Sequence, residues 1–403
     1  LNKLLIRILL HLQVEFSLNY FLFAQKYLIV SQHPTSSNFF SKFVPKTNTL
    51  MSKQEVIICQ NFNTELSQKL SAHSYDKIFI LTDEHTFRLC LPLLQDIALL
   101  KDAEQIVIGP EDVHKNLETL AYVWNQLSNR GATRHSLLIN LGGGMVTDLG
   151  GFAAATFKRG IACINIPTTL LSMIDAAVGG KTGINFNGLK NEIGSFYPAD
   201  QVMIDSQFLK TLDMPNLLSG YGEMLKHGLI SQPSHWSELL TFDFAHIDYA
   251  LLQKLIGQSV QVKEDIVEKD PYEQSIRKAL NFGHTIGHAF ESFALKTNHP
   301  VLHGYAVAWG MVCELYLSHI RCGFPKEALR TTIQFIKENY GSLYFTCDDY
   351  ECLYDFMKHD KKNASCGVIN FTLLGGIGDI RINQTASQEE IYELLDFYRE
   401  TMG

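Results

Sequence analysis

The sequence lacks the features that mark three broad classes of protein. Its eight cysteines are scattered and none forms a CxxC pair, which argues against a disulfide framework and a cysteine zinc site. It has no block of basic residues and a formal net charge of −8, so we expect no nucleic-acid partner. No uncharged apolar run reaches the roughly 18 residues of a membrane-spanning helix. These absences predict a protein of a reducing, cytoplasmic setting with no membrane partner.

The rest of the composition is that of an ordinary globular protein, and its 403 residues are enough for two domains. Residues 1–50 differ from the remainder of the chain, because an apolar stretch interrupted by charges leads into a polar segment. We expect the native protein to start at Met51 and residues 1–50 to be a non-native or disordered extension. An intact mass of the native protein that includes residues 1–50 would contradict this expectation.

Residues 51–215 alternate between short apolar runs and helical segments. Apolar runs separated by helices predict a parallel sheet covered on both faces. We therefore predict a Rossmann-like, doubly wound α/β domain, with its ligand crevice at the carboxyl ends of the strands. The runs lie at 77–82, 104–109, 136–141, 162–167 and 201–205.

Residues 216–403 predict a mostly helical domain that binds metal and substrate. The last amphipathic stretch begins with a capping box of Ser387 and Glu390. A small hairpin is predicted at 367–382. The amphipathic stretches lie at 216–230, 248–268, 275–294, 304–321, 325–339 and 387–401.

A glycine-rich turn after the run at 136–141 is the candidate cofactor site. Gly143 and Gly144 belong to a triple glycine that leads into a helix rich in Ala and Gly. Backbone amides at a helix N-terminus bind phosphate, and the missing Cβ atoms allow close approach of a pyrophosphate. Thr147 stands where G-x-G-x-x-G has its third glycine, so a tight packing turn remains an alternative. Asp148 is placed to reach a ribose hydroxyl or the nicotinamide end.

A second glycine turn follows the run at 162–167 and is flanked by polar side chains. Two threonines at its start are placed to cap a helix and to hydrogen-bond a cofactor in the same crevice. Two lysines after its glycines suit an anionic substrate group, and two solvated loop lysines explain the pattern equally well. The side chains concerned are Thr168, Thr169, Asp175, Lys181, Lys190 and Asn191.

Histidines and a carboxylate in the second half predict a metal site. His284 and His288 stand four apart in a helix-forming segment and so face the same side, which suggests a ligand pair. His303 opens the next apolar segment, and Glu223 and Lys226 lie upstream at helical spacing. Zinc takes nitrogen and oxygen ligands, and a catalytic site keeps one position open. Cobalt also fits such ligands, and ordinary helix histidines are the alternative.

A polar stripe leads to these histidines. Arg277, Asn281, His284 and His288 step by four, three and four residues, which predicts one face of a single helix. Basic side chains without matching acids in this region suggest a phosphate and a carboxylate to bind. The further polar residues of the region are Lys263, Glu273, Lys361 and Lys362.

Together these motifs resemble the 3-dehydroquinate synthase family of sugar-phosphate cyclases. The resemblance covers about residues 55–400 and implies NAD and zinc as cofactors and a homodimer as the assembly. Its blocks occur in the family's order: GGGMVTDLGGFAAATFKRG, IPTTLLSMIDAAVGGKTG, GLKNEIGSFYPA, GYGEMLKHG, NFGHTIGHAFE, HGYAVAWGM and HDKKN.

The resemblance also implies a role for individual positions. Zinc would be held by Glu223, His284 and His303, so that His288 becomes a substrate contact. The other implied catalytic residues are Lys181, Lys226, Glu273, Arg277 and Asn281. Substrate binding is implied for Asp175, Lys190, Asn191, Lys263, Lys361, Lys362 and, from the neighbouring subunit, Arg159. The implied NAD-binding residues are Asp83, Lys115, Gly143, Gly144, Asp148, Thr168, Thr169, Lys181, Lys190, Phe208 and Thr211. Ala176 and Ala177 replace serines common in the family, and the loop around Lys115 fits less closely.

The implied reaction converts 3-deoxy-D-arabino-heptulosonate 7-phosphate to 3-dehydroquinate and phosphate, a step of aromatic amino acid biosynthesis by the shikimate pathway. It combines transient oxidation by NAD, elimination of phosphate, re-reduction and an aldol closure. Two other functions fit the residues: a related sugar-phosphate cyclase with a different product, and a metal-dependent polyol dehydrogenase with net redox turnover. The basic residues favour a phosphorylated, carboxylated substrate and count against the polyol.

Overall fold

The computed structural model describes residues 54–359 and 368–403, all within the compact unit Ser52–Gly403. Our predictions for residues 1–50 and for Lys361 and Lys362 lie outside the described residues. We call the described residues up to 213 the sheet half, and the described residues from 214 the helical half.

A six-stranded parallel sheet forms the centre of the sheet half, in the strand order β1-β8-β5-β4-β2-β3. The five predicted strands are confirmed to within one or two residues at each end. β1 has only four residues, half-buried or exposed, and gives no apolar run that a sequence pattern would reveal. The strands of this sheet are β1 (Glu55–Ile58), β2 (Ile78–Asp83), β3 (Glu104–Ile108), β4 (Leu137–Gly142), β5 (Ala162–Pro167) and β8 (Gln201–Ile204). Between β5 and β8, β6 (Lys181–Phe186) and β7 (Leu189–Phe196) form a separate antiparallel hairpin.

Helices connect the strands from β1 to β5, as the alternating pattern predicts, whereas the β6–β7 hairpin lies between β5 and β8. Every residue of β4 is buried, because the sheet is covered on both faces. Gly150 allows the helix after β4 to pack closely, since a Cβ there would lie 2.0 Å from Asn140 Oδ1. Gly150 thus provides the close contact between this helix and β4. The helices are α1 (Phe62–Ser71), α2 (Glu84–Leu89), α3 (Leu117–Asn129) and α4 (Gly144–Thr156).

The helical half confirms the amphipathic stretches and the hairpin, with one exception. The predicted capping box of Ser387 and Glu390 is present. The elements are α5 (Met214–Ser231), α6 (Pro233–Leu240), α7 (Tyr249–Lys269), α8 (His284–Lys296), α9 (His303–Cys322), α10 (Lys326–Tyr340), α11 (Tyr350–Lys358), β9 (Asn370–Gly376), β10 (Asp379–Thr385) and α12 (Gln388–Met402).

The exception is the stretch 275–294, for which the prediction of one helix is wrong. Arg277 and Asn281 belong to a short 3₁₀ helix, Ile276–Asn281, and α8 begins only at His284. Between them Gly283 has a φ of 78°, a left-handed conformation that ends the first helix and turns the chain. The four polar residues therefore lie on two elements, and the stripe is not one helix face.

Glycines allow α5, α8 and α9 to pack with their backbones in contact. A Cβ at Gly304 would lie 1.7 Å from Ser219 O, and one at Gly310 would lie 2.1 Å from Gly283 O. These crossings bring together the three helices on which Glu223, His284 and His303 lie. Among the described residues, no helix has both the length and the apolar character that crossing a membrane requires.

Candidate active site and metal centre

Two imidazole nitrogens converge on one buried carboxylate oxygen. His284 Nε2 lies 3.1 Å and His303 Nε2 lies 3.2 Å from Glu223 Oε1. The Glu223 carboxylate is fully buried, and each of the three residues comes from a different helix. Two nitrogens and one oxygen form a donor set that zinc takes in proteins, and cobalt accepts the same atoms. The residues therefore fit a divalent transition metal.

His288 lies beside this group on the next turn of α8. Its ring centre is 5.4 Å from that of His284 and 5.8 Å from that of His303. One nitrogen of each of the three rings lies within 4.8 Å of the others. The geometry thus brings His288 to the same centre, as a fourth polar group beside the implied ligands.

Lys226 sets the charge state of Glu223. The two side chains form an ion pair one helical turn apart, and both are almost completely buried. Burial by itself would raise the pKa of Glu223, but Lys226 and His284 hold that pKa well below its usual value. Glu223 is therefore ionised and ready to serve as an anionic ligand.

Glu291 orients the third implied ligand. Its Oε2 lies 3.1 Å from His303 Nδ1, which leaves His303 Nε2 facing Glu223. Burial would lower the pKa of His303, but the hydrogen bonds to Glu223 and Glu291 raise it to about 9. Carboxylates on the second nitrogen of a metal-binding histidine commonly fix the ring in this way. Glu291 also binds Lys190 Nζ at 2.8 Å and so links α8 to the β6–β7 hairpin.

The loop before the 3₁₀ helix supplies a second polar group. Glu273 accepts hydrogen bonds from Lys181 Nζ at 2.7 Å and from Asn281 Nδ2 at 3.0 Å. Burial opposes ionisation, yet Lys181 and Asn281 lower the pKa of Glu273. Asp270 holds this loop in shape, because its carboxylate accepts the backbone N–H groups of Gln274, Ser275 and Arg277.

Asp175 and Lys263 form a third polar group beside the second glycine turn, the one that follows β5. Lys263 Nζ binds both the carboxylate and the backbone carbonyl of Asp175. Burial would raise the pKa of Asp175, but Lys263 lowers it. The prediction that the basic residues of this region lack matching acids is wrong for Lys263, and the two lysines of the second glycine turn, Lys181 and Lys190, are also paired. Each has a carboxylate from a segment about 90 or 100 positions away, which local sequence cannot reveal.

The glycine turn forms a cradle at the carboxyl ends of β2, β4 and β5. A Cβ at Gly143 would lie 3.1 Å from Thr169 Cγ2, and one at Gly144 would lie 3.1 Å from the Ala176 Cβ. Gly143 is the N-cap of α4, and no side chain of the described residues caps that helix. The free amides and the absent Cβ atoms fit a dinucleotide phosphate. Asp83 caps α2 at the end of the neighbouring strand.

Lys115 joins the helix after this cradle to the β6–β7 hairpin. Its Nζ lies 2.6 Å from Asp148 Oδ2 and 2.5 Å from Asn191 Oδ1. Burial raises the pKa of Asp148, although Lys115 acts in the opposite direction. The looser sequence fit around Lys115 therefore does not remove it from the site region.

Three other predicted site residues lie apart from these polar groups and from the glycine cradle in the described part of the chain. Phe208 is a core residue, because it is fully buried and packs edge-on against Phe62 at 5.1 Å. Thr211 lies beside it and donates its hydroxyl to Phe208 O. Arg159 is exposed just after α4. The cofactor roles of Phe208 and Thr211 stay predictions.

Sequence reasoning missed Glu291, Asp270 and Glu314, each of which holds a site residue in place. Glu291 stands seven residues after His284, at helical spacing, so a search for acids on the histidine face would have found it. Asp270 precedes a proline, a common turn signal. Glu314 carries no local signal, because its partners lie about 30 positions away on another helix.

Family models match most of the described chain. A model described as 3-dehydroquinate synthase N-terminal matches residues 105–219, and one described as 3-dehydroquinate synthase C-terminal matches residues 220–363. A 3-dehydroquinate synthase from Parabacteroides distasonis is 58% identical over 353 residues, which span 88% of this chain and 100% of that protein.

Solved structures of two other synthases share the fold of this chain. A 2-deoxy-scyllo-inosose synthase in complex with carbaglucose-6-phosphate, NAD+ and Co2+ has a TM-score of 0.74 at 21% identity, covering 86% of this chain and 96% of that one. A 2-epi-5-epi-valiolone synthase from Streptomyces hygroscopicus with NAD+ and Zn2+ has a TM-score of 0.73 at 26% identity, covering 86% and 97%. These likenesses confirm a parallel sheet half joined to a helical half.

Proposed function

The chain belongs to the 3-dehydroquinate synthase family and is an enzyme of the phosphate-eliminating cyclase class, and from this premise we propose how its residues serve the reaction. The substrate is 3-deoxy-D-arabino-heptulosonate 7-phosphate, and the products are 3-dehydroquinate and phosphate. We keep the division into an NAD-binding domain at 51–215 and a metal- and substrate-binding domain at 216–403. The convergence of His284 and His303 on Glu223 is the observation that carries the proposal.

Glu223, His284 and His303 hold one divalent cation, with zinc as the first choice and cobalt as the second. When bound, the metal would supply polarisation of substrate hydroxyl oxygens, and NAD would supply reversible hydride transfer. The two solved synthases of the same fold carry cobalt and zinc, which supports this choice. His288 faces the same centre and binds the substrate next to the metal.

Gly143 and Gly144 receive the phosphates of NAD at the N-terminus of α4. Asp83, Asp148, Thr168 and Thr169 surround the rest of the cofactor at the ends of the neighbouring strands. The close approach of a Cβ at either glycine to its neighbours supports this assignment, because the cradle is too narrow for a larger residue plus a ligand.

The remaining polar residues bind and orient the substrate. Arg277 is a buried guanidinium, and arginine is well suited to a carboxylate or a phosphate. Glu273 is held ionised by Lys181 and Asn281, so it can accept a proton from a substrate hydroxyl on a carboxylate oxygen. Substrate contacts are further proposed for Asp175, Lys190, Asn191, Lys226, Lys263, Lys361 and Lys362.

Two properties of the protein as a whole complete the proposal. The family resemblance implies that Arg159 reaches the site of a second subunit, and Arg159 is exposed after α4, so we infer a homodimer. The cysteines of the described residues are free thiols, which supports a reducing, cytoplasmic setting. Light scattering of the purified chain tests the dimer directly.

A phosphate-release assay tests the function. The purified chain, given NAD and the heptulosonate phosphate, should release phosphate without net NADH, and a chelator should abolish the release. Net NADH from a simple polyol would support the dehydrogenase alternative instead. Release of phosphate with a carbocycle other than 3-dehydroquinate would support the related cyclase.

A further inference from the structure

We propose that Glu314 is a positioning residue for the metal ligand His284. The proposal rests on the proposed function, and in particular on its ligand set of Glu223, His284 and His303. One carboxylate in the middle of α9 receives hydrogen bonds from backbone N–H groups on both sides of His284. Glu314 would therefore act on the metal centre through the backbone of α8.

Glu314 accepts hydrogen bonds from the backbone at the first turn of α8. The N–H of Gly283 donates to Glu314 Oε2 at 2.7 Å, and the N–H groups of Thr285 and Ile286 donate to Oε1 at 3.0 and 3.3 Å. Glu314 is 0% exposed, so these bonds do not compete with solvent. Hydrogen bonds to a carboxylate are shorter and stronger than those between neutral groups. Glu314 thus holds the peptide plane that precedes Gly283 and the two peptide planes that follow His284.

α8 needs an acceptor from outside because it cannot cap itself. The first N–H groups of a helix have no partner within the helix, and the positive end of its dipole favours an anion. Most helices use a Ser, Thr, Asp or Asn at the N-cap position for this purpose. Here the N-cap is Gly283, which has no side chain to offer. Glu314 supplies the missing acceptor from 31 positions further along the chain.

The crossing of α8 and α9 sets the reach of Glu314. Gly310 lies one turn before Glu314 on the same face of α9, and a Cβ at Gly310 would lie 2.1 Å from Gly283 O. The two backbones therefore touch at this point. The next turn of α9 brings the Glu314 carboxylate beneath the start of α8.

The direction of the His284 ring depends on this turn. Its Nδ1 lies 3.0 Å from Phe282 O, which leaves Nε2 facing Glu223 Oε1 at 3.1 Å. Releasing the turn would release the ring, because His284 is the first residue of α8. Groups that orient metal ligands typically change metal affinity by about 10- to 100-fold when they are removed.

A cobalt-binding measurement on the full chain distinguishes a positioning role of Glu314 from a role in stability alone. Glu314→Gln keeps the size of the side chain but turns an NH2 group toward one of the backbone donors. We expect its cobalt Kd to rise by about 10- to 100-fold, with a changed visible cobalt spectrum. We also expect faster amide exchange in the peptide that contains residues 283–286. Glu314→Asp keeps the charge and should recover part of the affinity.

Thr332→Val is the matched control. The buried hydroxyl of Thr332 accepts a hydrogen bond from Trp236 Nε1 at 3.1 Å and takes no part in the site. The substitution should lower the melting temperature and leave the cobalt Kd unchanged. If Glu314→Gln behaves like Thr332→Val, Glu314 serves stability only and the proposal is overturned. If Glu314→Gln does not fold, an unchanged Kd for Glu314→Asp has the same meaning. If His284→Ala binds cobalt like the unsubstituted chain, the ligand set itself fails, and the positioning role fails with it.

Discussion

The two halves of the molecule build their parts of the site from different materials. In the sheet half, the cradle consists mostly of backbone, and Lys115 is the one charged side chain that is buried among the described residues. In the helical half, Glu223, Lys226, Lys263, Asp270, Arg277 and Glu314 are all buried. A backbone cradle follows from a local glycine motif, whereas buried charges require partners from other elements. Single substitutions in the helical half should therefore lower the free energy of unfolding more than those in the sheet half.

The largest expected effect is that of His284→Ala in the helical half. Loss of one of three metal ligands should remove the metal and lower phosphate release by about three orders of magnitude, since the metal contributes several kcal/mol. Metal analysis and the phosphate assay measure both losses. His299→Ala, at an exposed histidine just beyond α8, should change neither. Stoichiometric zinc in His284→Ala would show that the ligand set is wrong.

Lys226→Met should destabilise the chain more without metal than with it. The substitution leaves the buried Glu223 charge without its lysine, which costs about 3 to 5 kcal/mol in the free energy of unfolding. A bound cation restores positive charge beside Glu223, so zinc should reduce this loss. Urea unfolding with a chelator and with zinc measures the difference.

Lys115→Met is the matching substitution in the sheet half. The partner of Lys115, Asp148, keeps 19% of its side chain exposed, so the loss in the free energy of unfolding should be smaller than for Lys226→Met. A larger loss for Lys115→Met than for Lys226→Met would contradict the comparison between the halves.

Gly310→Ala should lower the free energy of unfolding by about 2 kcal/mol, because the added Cβ overlaps Gly283 O and forces α8 and α9 apart. In the sheet half, Gly143→Ala meets Thr169 Cγ2 at 3.1 Å and should cost less stability while weakening NAD binding. Denaturant unfolding and NAD titration measure the two quantities. Equal NAD affinity in Gly143→Ala and the unsubstituted chain would argue against the cradle.

The smallest effect is the pH dependence that Asp270 adds to stability. Burial would raise the pKa of Asp270, but backbone N–H groups lower it from 3.8 to about 2. A folded-state pKa below the unfolded value stabilises the chain above about pH 4, and the gain is lost as pH falls through about 2. The difference in urea midpoint between Asp270→Asn and the unsubstituted chain should therefore shrink from pH 4 downwards. A constant difference would contradict this account.

Much of the site was predictable, but its contacts were not. Gly143 and Gly144 lie at a strand end because a buried apolar run precedes them, and that pattern is local. The single helix through Arg277 and His288 is wrong because Gly283 adopts a left-handed conformation, which periodicity does not show. The partners of Lys181 and Lys190 were missed because both carboxylates come from the other half.

The sequence by itself determined the type and order of most elements, the glycine turn and the metal-binding residue types, since each depends on neighbours a few positions apart. It did not reveal β1 or the break at Gly283. Only the tertiary structure decided that one Glu223 oxygen faces two histidines, that Glu291 turns His303 and that Glu314 encloses the start of α8. These contacts depend on how closely three helices cross. That distance is set by which glycine meets which backbone, and no local pattern encodes it.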